Sequence, residues 1–194
     1  MFRKTSLENE HVALIPLEQA HLHELLHAGQ SPSVFTWVFD NYCRSEHALH
    51  SWFNQTAQFD AQLQLVFAIV EKTTDNVIGT TRFFRLDPVN LSCEIGHTFI
   101  TDRWQRTHIN TNVKYLMLQH AFETLGLVRV EFRTHEQNDK SRRAIARLGA
   151  TFEGLSRKDR RLPDGTYRNT AKFAMIDDDW PECRNKLMAK LTCN

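Results

Sequence analysis

The sequence predicts a mixed α/β fold of the α+β kind, a mostly antiparallel central sheet of about seven strands with helices on both faces. Three observations predict it. Apolar residues recur in turn at strand and helical spacing, in the order β-α-α-β-β-β-α-β-α-β-β-α. Three successive strand patterns between 63 and 100 are joined by short turns, as in an antiparallel meander. A strand, a long helix and another strand then follow, the crossover type of connection. There is no internal repeat, low-complexity tract or Pro/Gly/Ser linker, so residues 1–194 read as a single domain.

His11 to Leu17 reads as the first strand. Glu18 to Ala28 reads as a helix with Leu22, Leu25 and Leu26 as its apolar stripe and Gly29 at its C-cap. Ser45 caps a second helix to about Ala61, with Ala48, Leu49, Trp52 and Phe53 at helical spacing. Leu63 to Lys72, Val77 to Leu86 and Leu91 to Ile100 are strands, separated by Thr74-Asp75-Asn76 and Asp87-Pro88-Val89-Asn90. Ile109 to Leu125 is a long helix ended by Gly126, and Leu127 to Thr134 is a strand. Asn138 or Asp139 caps a shorter helix through Leu148. Ala150 to Arg157 and Thr166 to Ile176 form a hairpin around Leu162-Pro163-Asp164-Gly165. Asp177 to Asp179 precede Trp180-Pro181, which open a C-terminal helix.

Composition narrows the function classes. Lys and Arg total 24 against 23 Asp and Glu, so bulk charge does not favour a general nucleic-acid binder. Cys43, Cys93, Cys183 and Cys193 form no C-x-x-C pair and suit neither zinc nor a disulfide framework. They read as reduced thiols, and no metal site is expected. The longest aliphatic-aromatic run, Leu65 to Val70, is far short of a membrane span, and no apolar leader opens the chain. A soluble, cytoplasmic protein is expected. The 7 Gly are about half the usual ~7%, so few are available for phosphate-cradling loops.

The informative stretch runs from Glu94 to Thr111. A strand ends near Ile100, and a helix opens near Ile109. The first turn of that helix has free N–H groups and the positive end of its dipole, a physical anion site suited to a pyrophosphate. Arg103 and Arg106 lie beside it.

This strand-loop-helix, the Val77-Ile78-Gly79 strand before it and Asn138-x-x-Ser141-x-x-Ala144-Ile145 after it resemble the GNAT superfamily of N-acetyltransferases. Leu148-Gly149-Ala150, Pro163-Asp164-Gly165 and Asp178-Asp179-Trp180-Pro181 most resemble its RimJ/RimL-type branch, which includes enzymes acetylating ribosomal-protein N-termini. The resemblance covers nearly the whole chain from about His11. It implies acetyl-CoA as co-substrate and a sheet splayed between its fourth and fifth strands to admit the pantetheine arm. Carried onto this sequence, Thr98, Phe99 and Ile100 offer backbone groups to pantetheine. Gln105, Arg106, Thr107, His108, Ile109, Asn110 and Thr111 wrap the pyrophosphate. Asn138 bonds the pantetheine or diphosphate arm, and Ser141 lies near the departing sulfur. In one respect the sequence departs from the family: Arg106 and His108 stand where glycines are common.

The resemblance therefore predicts an N-acetyltransferase that moves an acetyl group to a primary amine by direct attack. The acceptor would be a protein N-terminus, ribosomal or other, a peptide or a small amine. Glu94 is the first candidate for general base, with His97 and Glu131 in reserve; Glu94 also reads as an ordinary strand carboxylate. Strand alternation puts Glu94 and His97 on opposite faces unless a bulge intervenes. Ser141 is the candidate acid. Cys93 is near enough in sequence to be considered as a nucleophile, but no Cys-His arrangement accompanies it. Trp37, Phe39, Tyr42, Trp52 and Phe53 are candidates for an acceptor pocket or for core. Arg157-Lys158-Asp159-Arg160-Arg161 reads as a solvated edge or as a rim attracting an acidic substrate. A non-catalytic acyl-CoA sensor and a ribosome-associated module remain the competing readings. No membrane partner is expected, and either a monomer or a homodimer is compatible.

Overall fold

The computed structural model describes residues 1–38, 40–162 and 164–192. Its strands are Leu7–Glu8 (β1), Val12–Pro16 (β2), Gln64–Glu71 (β3), Asn76–Asp87 (β4), Ser92–Ile100 (β5), Arg129–His135 (β6), Thr151–Arg161 (β7) and Tyr167–Ile176 (β8). They form one sheet in the order β1-β2-β3-β4-β5-β6-β8-β7. Every neighbouring pair is antiparallel except β5 with β6. The eighth strand is β1, which pairs Leu7 with Leu14 and Glu8 with Ala13. Two residues carry too little alternation to register as a strand in sequence.

The helices are Leu22–Ala28 (α1), Glu46–Thr56 (α2), Ile109–Gln119 (α3), Asp139–Arg147 (α4) and Trp180–Thr192 (α5). No helix among the described residues is long and apolar enough to cross a membrane. On one face of the sheet, Val113, Met117 and Leu118 of α3 and Trp180 and Leu187 of α5 pack on Phe67, Phe83 and Ile95. On the other, Leu25 of α1 and Leu49 and Phe53 of α2 pack on Val66, Ala68 and Phe99. Strand β3 is covered on both sides, so its residues are apolar without alternation.

Several element ends differ from the sequence expectation for local reasons. Helix α2 stops at Thr56 rather than Ala61, because Asp60 Oδ1 accepts from the N–H groups of Gln62 and Leu63 and fixes a turn. The first helix begins as a 3₁₀ turn over Gln19–His21, in which His21 Nδ1 accepts from the Glu18 N–H. The long helix after 109 changes at His120–Thr124 into a π-turn closed by Leu125 N–H to His120 O at 2.9 Å. Gly126, at φ +62°, then ends it. The last hairpin is longer than expected, and of its turn residues Pro163 lies outside the described residues. Gly79 has a plain steric reason: a Cβ there would lie 2.0 Å from the Phe99 carbonyl oxygen on the adjacent strand.

Strands β5 and β6 pair only over Ser92–Glu94 against Arg129–Glu131. Beyond Glu94 they part, and β6 continues with β8 as far as His135 opposite Thr170. The edges of β5 from Ile95 onward and of β6 from Phe132 onward thus flank a wedge in the sheet.

Candidate active site

The wedge opens into a cleft of about 640 Å³. One end is formed by the loop into α3 and by α4, and the other by the bend of β5 and the last hairpin.

The bend is a β-bulge. Gly96 pairs with Arg82 and Phe99 with Thr80, so β5 advances three residues while β4 advances two. His97 takes up the extra residue at φ +49°. Period-two alternation fails there, and Glu94 and His97 both line the cleft. The other reserve base, Glu131, is tied to Arg129 and Arg133 and does not line it.

Glu94 is 5% exposed. Arg85 Nη1 donates to its Oε2 at 3.1 Å, and Arg133 Nε lies 3.3 Å from the same oxygen as an ion pair. Burial pushes its carboxyl up to about 7 against the pull of those two guanidiniums. A carboxylate that titrates near neutrality is suited to move a proton. His97 is exposed and opens onto the cleft, where desolvation and the guanidiniums of Arg82, Arg160, Arg85 and Arg168 push its pKa down. Its imidazole is neutral at pH 7.

At the other end, a 3₁₀ turn at Asp102–Trp104 leads into the loop before α3. Gln105 Nε2 donates to Ile100 O at 2.8 Å, and Thr107 Oγ1 donates to Trp104 O at 2.7 Å. Thr107 Oγ1 also accepts from the Ile109 N–H at 3.3 Å, which partly satisfies the first turn of α3. Gln105, Arg106, Thr107 and Asn110 line the cleft. The side chains of the other three loop residues turn away. His108 packs on His11 with ring centroids 4.6 Å apart, Ile109 is in the core, and Thr111 accepts from Arg147 Nη2. What they present toward an anion is backbone.

The departure from glycine at 106 and 108 divides in two. Arg106 is left-handed at φ +62°, so that position does call for a glycine-like conformation. His108, at φ −66° and ψ −16°, is ordinary right-handed backbone and makes no such demand.

Thr98, Phe99 and Ile100 line the middle of the cleft. Phe99 points its ring away, onto Phe35 at 5.2 Å. Thr98 Oγ1 meets the Nζ of Lys114 at 2.7 Å, and Thr81 Oγ1 is 3.2 Å from the same nitrogen. Lys114 is 7% exposed, lines the cleft and has no ion-pair partner among the described residues. Desolvation pushes its pKa down to about 7. Sequence reading passed over this lysine. The available signal was its place on the apolar stripe of α3, between Val113 and Leu116-Met117.

Asn138 and Ser141 both line the cleft from the start of α4. Asn138 Oδ1 accepts from the Ser141 N–H at 3.0 Å as the N-cap. That oxygen is thereby engaged, so a bond from Asn138 to a ligand falls to its Nδ2. The Ser141 N–H holds the cap and leaves its hydroxyl to face the cleft.

Cations line the loop-and-α4 end in number: Arg106, Lys140, Arg143 and Arg147. Lys140 Nζ also meets Gln105 Oε1. Arg103 instead lies over its neighbour Trp104, outside the cleft. Among the aromatic candidates, Trp37 lines the cleft and packs on His135 at 4.9 Å. Tyr42 and Phe53 are core, Trp52 stacks on Tyr42 at 4.0 Å, and Phe39 lies outside the described residues. Of the basic run, Asp159 and Arg160 line the cleft, while Arg157, Lys158 and Arg161 face solvent. Cys93 is 1% exposed on β5, and burial, with Glu94 and Glu131 nearby, pushes its thiol up to about 12. Cys43 and Cys183 are also free thiols, and Cys193 lies outside the described residues. Among the described residues no group of three or more His, Cys, Asp or Glu is placed to hold a metal ion.

Comparison with known proteins follows the same lines. Residues 11–151 match the family model described as the acetyltransferase (GNAT) domain. An uncharacterized N-acetyltransferase, p20 of Bacillus licheniformis, is 33% identical over 91 residues, which are 47% of this chain and 51% of that relative. The chain thus spans about half the length of that curated protein. The crystal structure of a GCN5-related N-acetyltransferase from Brucella melitensis is similar with a TM-score of 0.90 and 30% identity, over 96% of this chain and 85% of that one. RimJ of Mycobacterium smegmatis, solved with a CoA disulfide, shares the fold at a TM-score of 0.78 and 20% identity, over 92% of this chain and 88% of that one.

Proposed function

Because the chain belongs to the GNAT family of acetyltransferases, we propose that it is an N-acetyltransferase that moves the acetyl group of acetyl-CoA to a primary amine by direct attack. One observation carries the reading. A single cleft joins an unpaired sheet edge at Thr98–Ile100, a cation-rich helix start and a buried carboxylate that titrates near pH 7.

In this reading the phosphates of CoA lie at the first turn of α3, against Arg106, Lys140, Arg143 and Arg147. The pantetheine arm runs along Thr98–Ile100, where Asn138 Nδ2 meets it. A backbone N–H near His97 or Phe99 polarises the thioester carbonyl. Glu94 takes the proton of the attacking amine, directly or through water, and the Ser141 hydroxyl returns a proton to the thiolate. The amine nitrogen forms the new bond to the acyl carbon as the carbon–sulfur bond breaks, leaving an amide and CoA. Cys93, buried and with a high pKa, favours direct attack over an acetyl-cysteine intermediate.

We place the chain in the RimJ/RimL-type branch on its Leu148-Gly149-Ala150, Pro163-Asp164-Gly165 and Asp178-Asp179-Trp180-Pro181 segments. The acceptor is then a protein N-terminus, a peptide or a small amine. Titration calorimetry with acetyl-CoA, followed by thiol release with a panel of amines, tests the activity. Saturable binding and CoA release are expected. Absence of heat at millimolar acetyl-CoA would overturn the proposal.

A further inference from the structure

The end of the cleft away from the loop is unusual for a site that must receive an amine. Four guanidiniums line it, those of Arg85, Arg133, Arg160 and Arg168, against two carboxylates, Glu94 and Asp159. Arg85 and Arg133 are engaged with Glu94 at 3.1 and 3.3 Å. Arg133 is shared further with Glu131 at 2.8 Å. Of the charged side chains that line this end, four are cationic and two anionic. The neutral imidazole of His97 stands in the same surroundings. Trp37 and Phe84 supply the apolar wall.

This arrangement acts on an acceptor in two ways. It repels an ammonium group, so a polyamine or a lysine side chain enters poorly. It also lowers the pKa of an amine brought beside it and enriches the neutral nucleophile. An α-amino group, with an ordinary pKa of about 7.7–8.0, is near that point already, whereas a lysine at about 10.4 is not. A binding gain must offset the repulsion, and guanidiniums pair well with carboxylates, often bidentately.

Resting on the acetyl-transfer reading above, we propose that the acceptor is the α-amine of a residue whose side chain carries a carboxylate. Arg160 and Arg168 receive the carboxylate, and the nitrogen lies at Glu94. The chemistry is shared by a free acidic amino acid and by a peptide opening with Asp or Glu, and separate assay arms distinguish the two.

The experiment measures thiol release from acetyl-CoA with peptides identical except for a first residue of Glu, Gln or Lys. Free glutamate, glutamine and putrescine form the second arm. In the arm that holds the substrate, the acidic acceptor should exceed its amide by about tenfold or more in kcat/KM. The cationic acceptor should be poorest, and the acidic advantage should shrink as salt rises. Arg160→Gln and Arg168→Gln should each erase the preference, and Arg160→Lys should restore part of it, with acetyl-CoA affinity unchanged by calorimetry. The salt series on the unmutated protein stands even if the Arg168 variant fails to fold. A preference for neutral or cationic acceptors, a preference that survives both Gln variants, or silence with every acidic acceptor while a neutral or cationic one turns over would each overturn the inference alone. Failure of acetyl-CoA to bind, or silence with every acceptor of either arm, would instead remove the acetyl-transfer reading.

Discussion

Arg106 and His108 flank the start of α3 and both replace a residue commonly glycine in related loops, yet their backbones differ. Arg106 sits at φ +62° and His108 at φ −66°. The left-handed region disfavours an L side chain by roughly 1–2 kcal/mol. Comparing Arg106→Gly with Arg106→Ala isolates that effect, because both remove the charge and only one relieves the strain. Urea unfolding should place the glycine variant about 1 kcal/mol above the alanine variant, less what glycine adds to unfolded-chain entropy. Both should weaken acetyl-CoA binding severalfold at low salt, as expected for a lost phosphate contact. His108→Gly should gain no stability. Equal stability of the two Arg106 variants would show that the loop relaxes elsewhere.

The start of α4 carries two residues that substitution can separate. Asn138 caps the helix through its side-chain oxygen, and Ser141 completes that cap with its backbone N–H. Ser141→Ala keeps the N–H. Its stability should stay within about 0.5 kcal/mol of the parent, while turnover falls by roughly 10²-fold if the hydroxyl protonates the thiolate. Chemical denaturation and steady-state thiol release check the two halves, and unchanged turnover would exclude Ser141 as the acid. Long periodic segments such as α3, and capped ones such as α4, were legible in sequence because their signals are local. The bulge at His97 was not, since a left-handed non-glycine residue leaves no compositional trace. Lys114 was passed over because a lysine reads as solvent-facing, although its i+3 and i−1 neighbours are core. The placing of Arg160 and Arg168 on the same cleft as Glu94 depends on strand order, with β8 inserted between β6 and β7, which no local pattern reports.

The ionisable groups of the cleft and core also set how the stability of the protein as a whole varies with pH. Glu94 is raised to about 7 by burial, so it favours the folded state below about 4.5 and that contribution is lost as pH rises to 7. His97, surface-exposed at the bulge but lowered by desolvation in the cleft and by neighbouring arginines, works the other way: below its ordinary 6.5 the unfolded chain takes up a proton that the folded one refuses, so stability is lost as pH falls. These two oppose each other on the acid side. Above pH 7 the dominant group is Lys114, held by desolvation at about 7 against an ordinary 10.5. As pH climbs past 7 the folded lysine releases its proton while the unfolded one keeps it, so folding stability rises. The limit is a little over ~1 kcal/mol per pH unit. Cys43 and Cys93, raised to about 12 by burial, reverse the slope only above about 9, where unfolded thiols ionise. Between pH 7.0 and 8.5 the urea midpoint should therefore move upward, by up to ~2 kcal/mol of stability. Lys114→Met, close in volume, should flatten that rise and gain stability at pH 7, since Thr81 and Thr98 already bond each other at 2.7 Å. A slope that persists in the variant would show that a group other than Lys114 carries it.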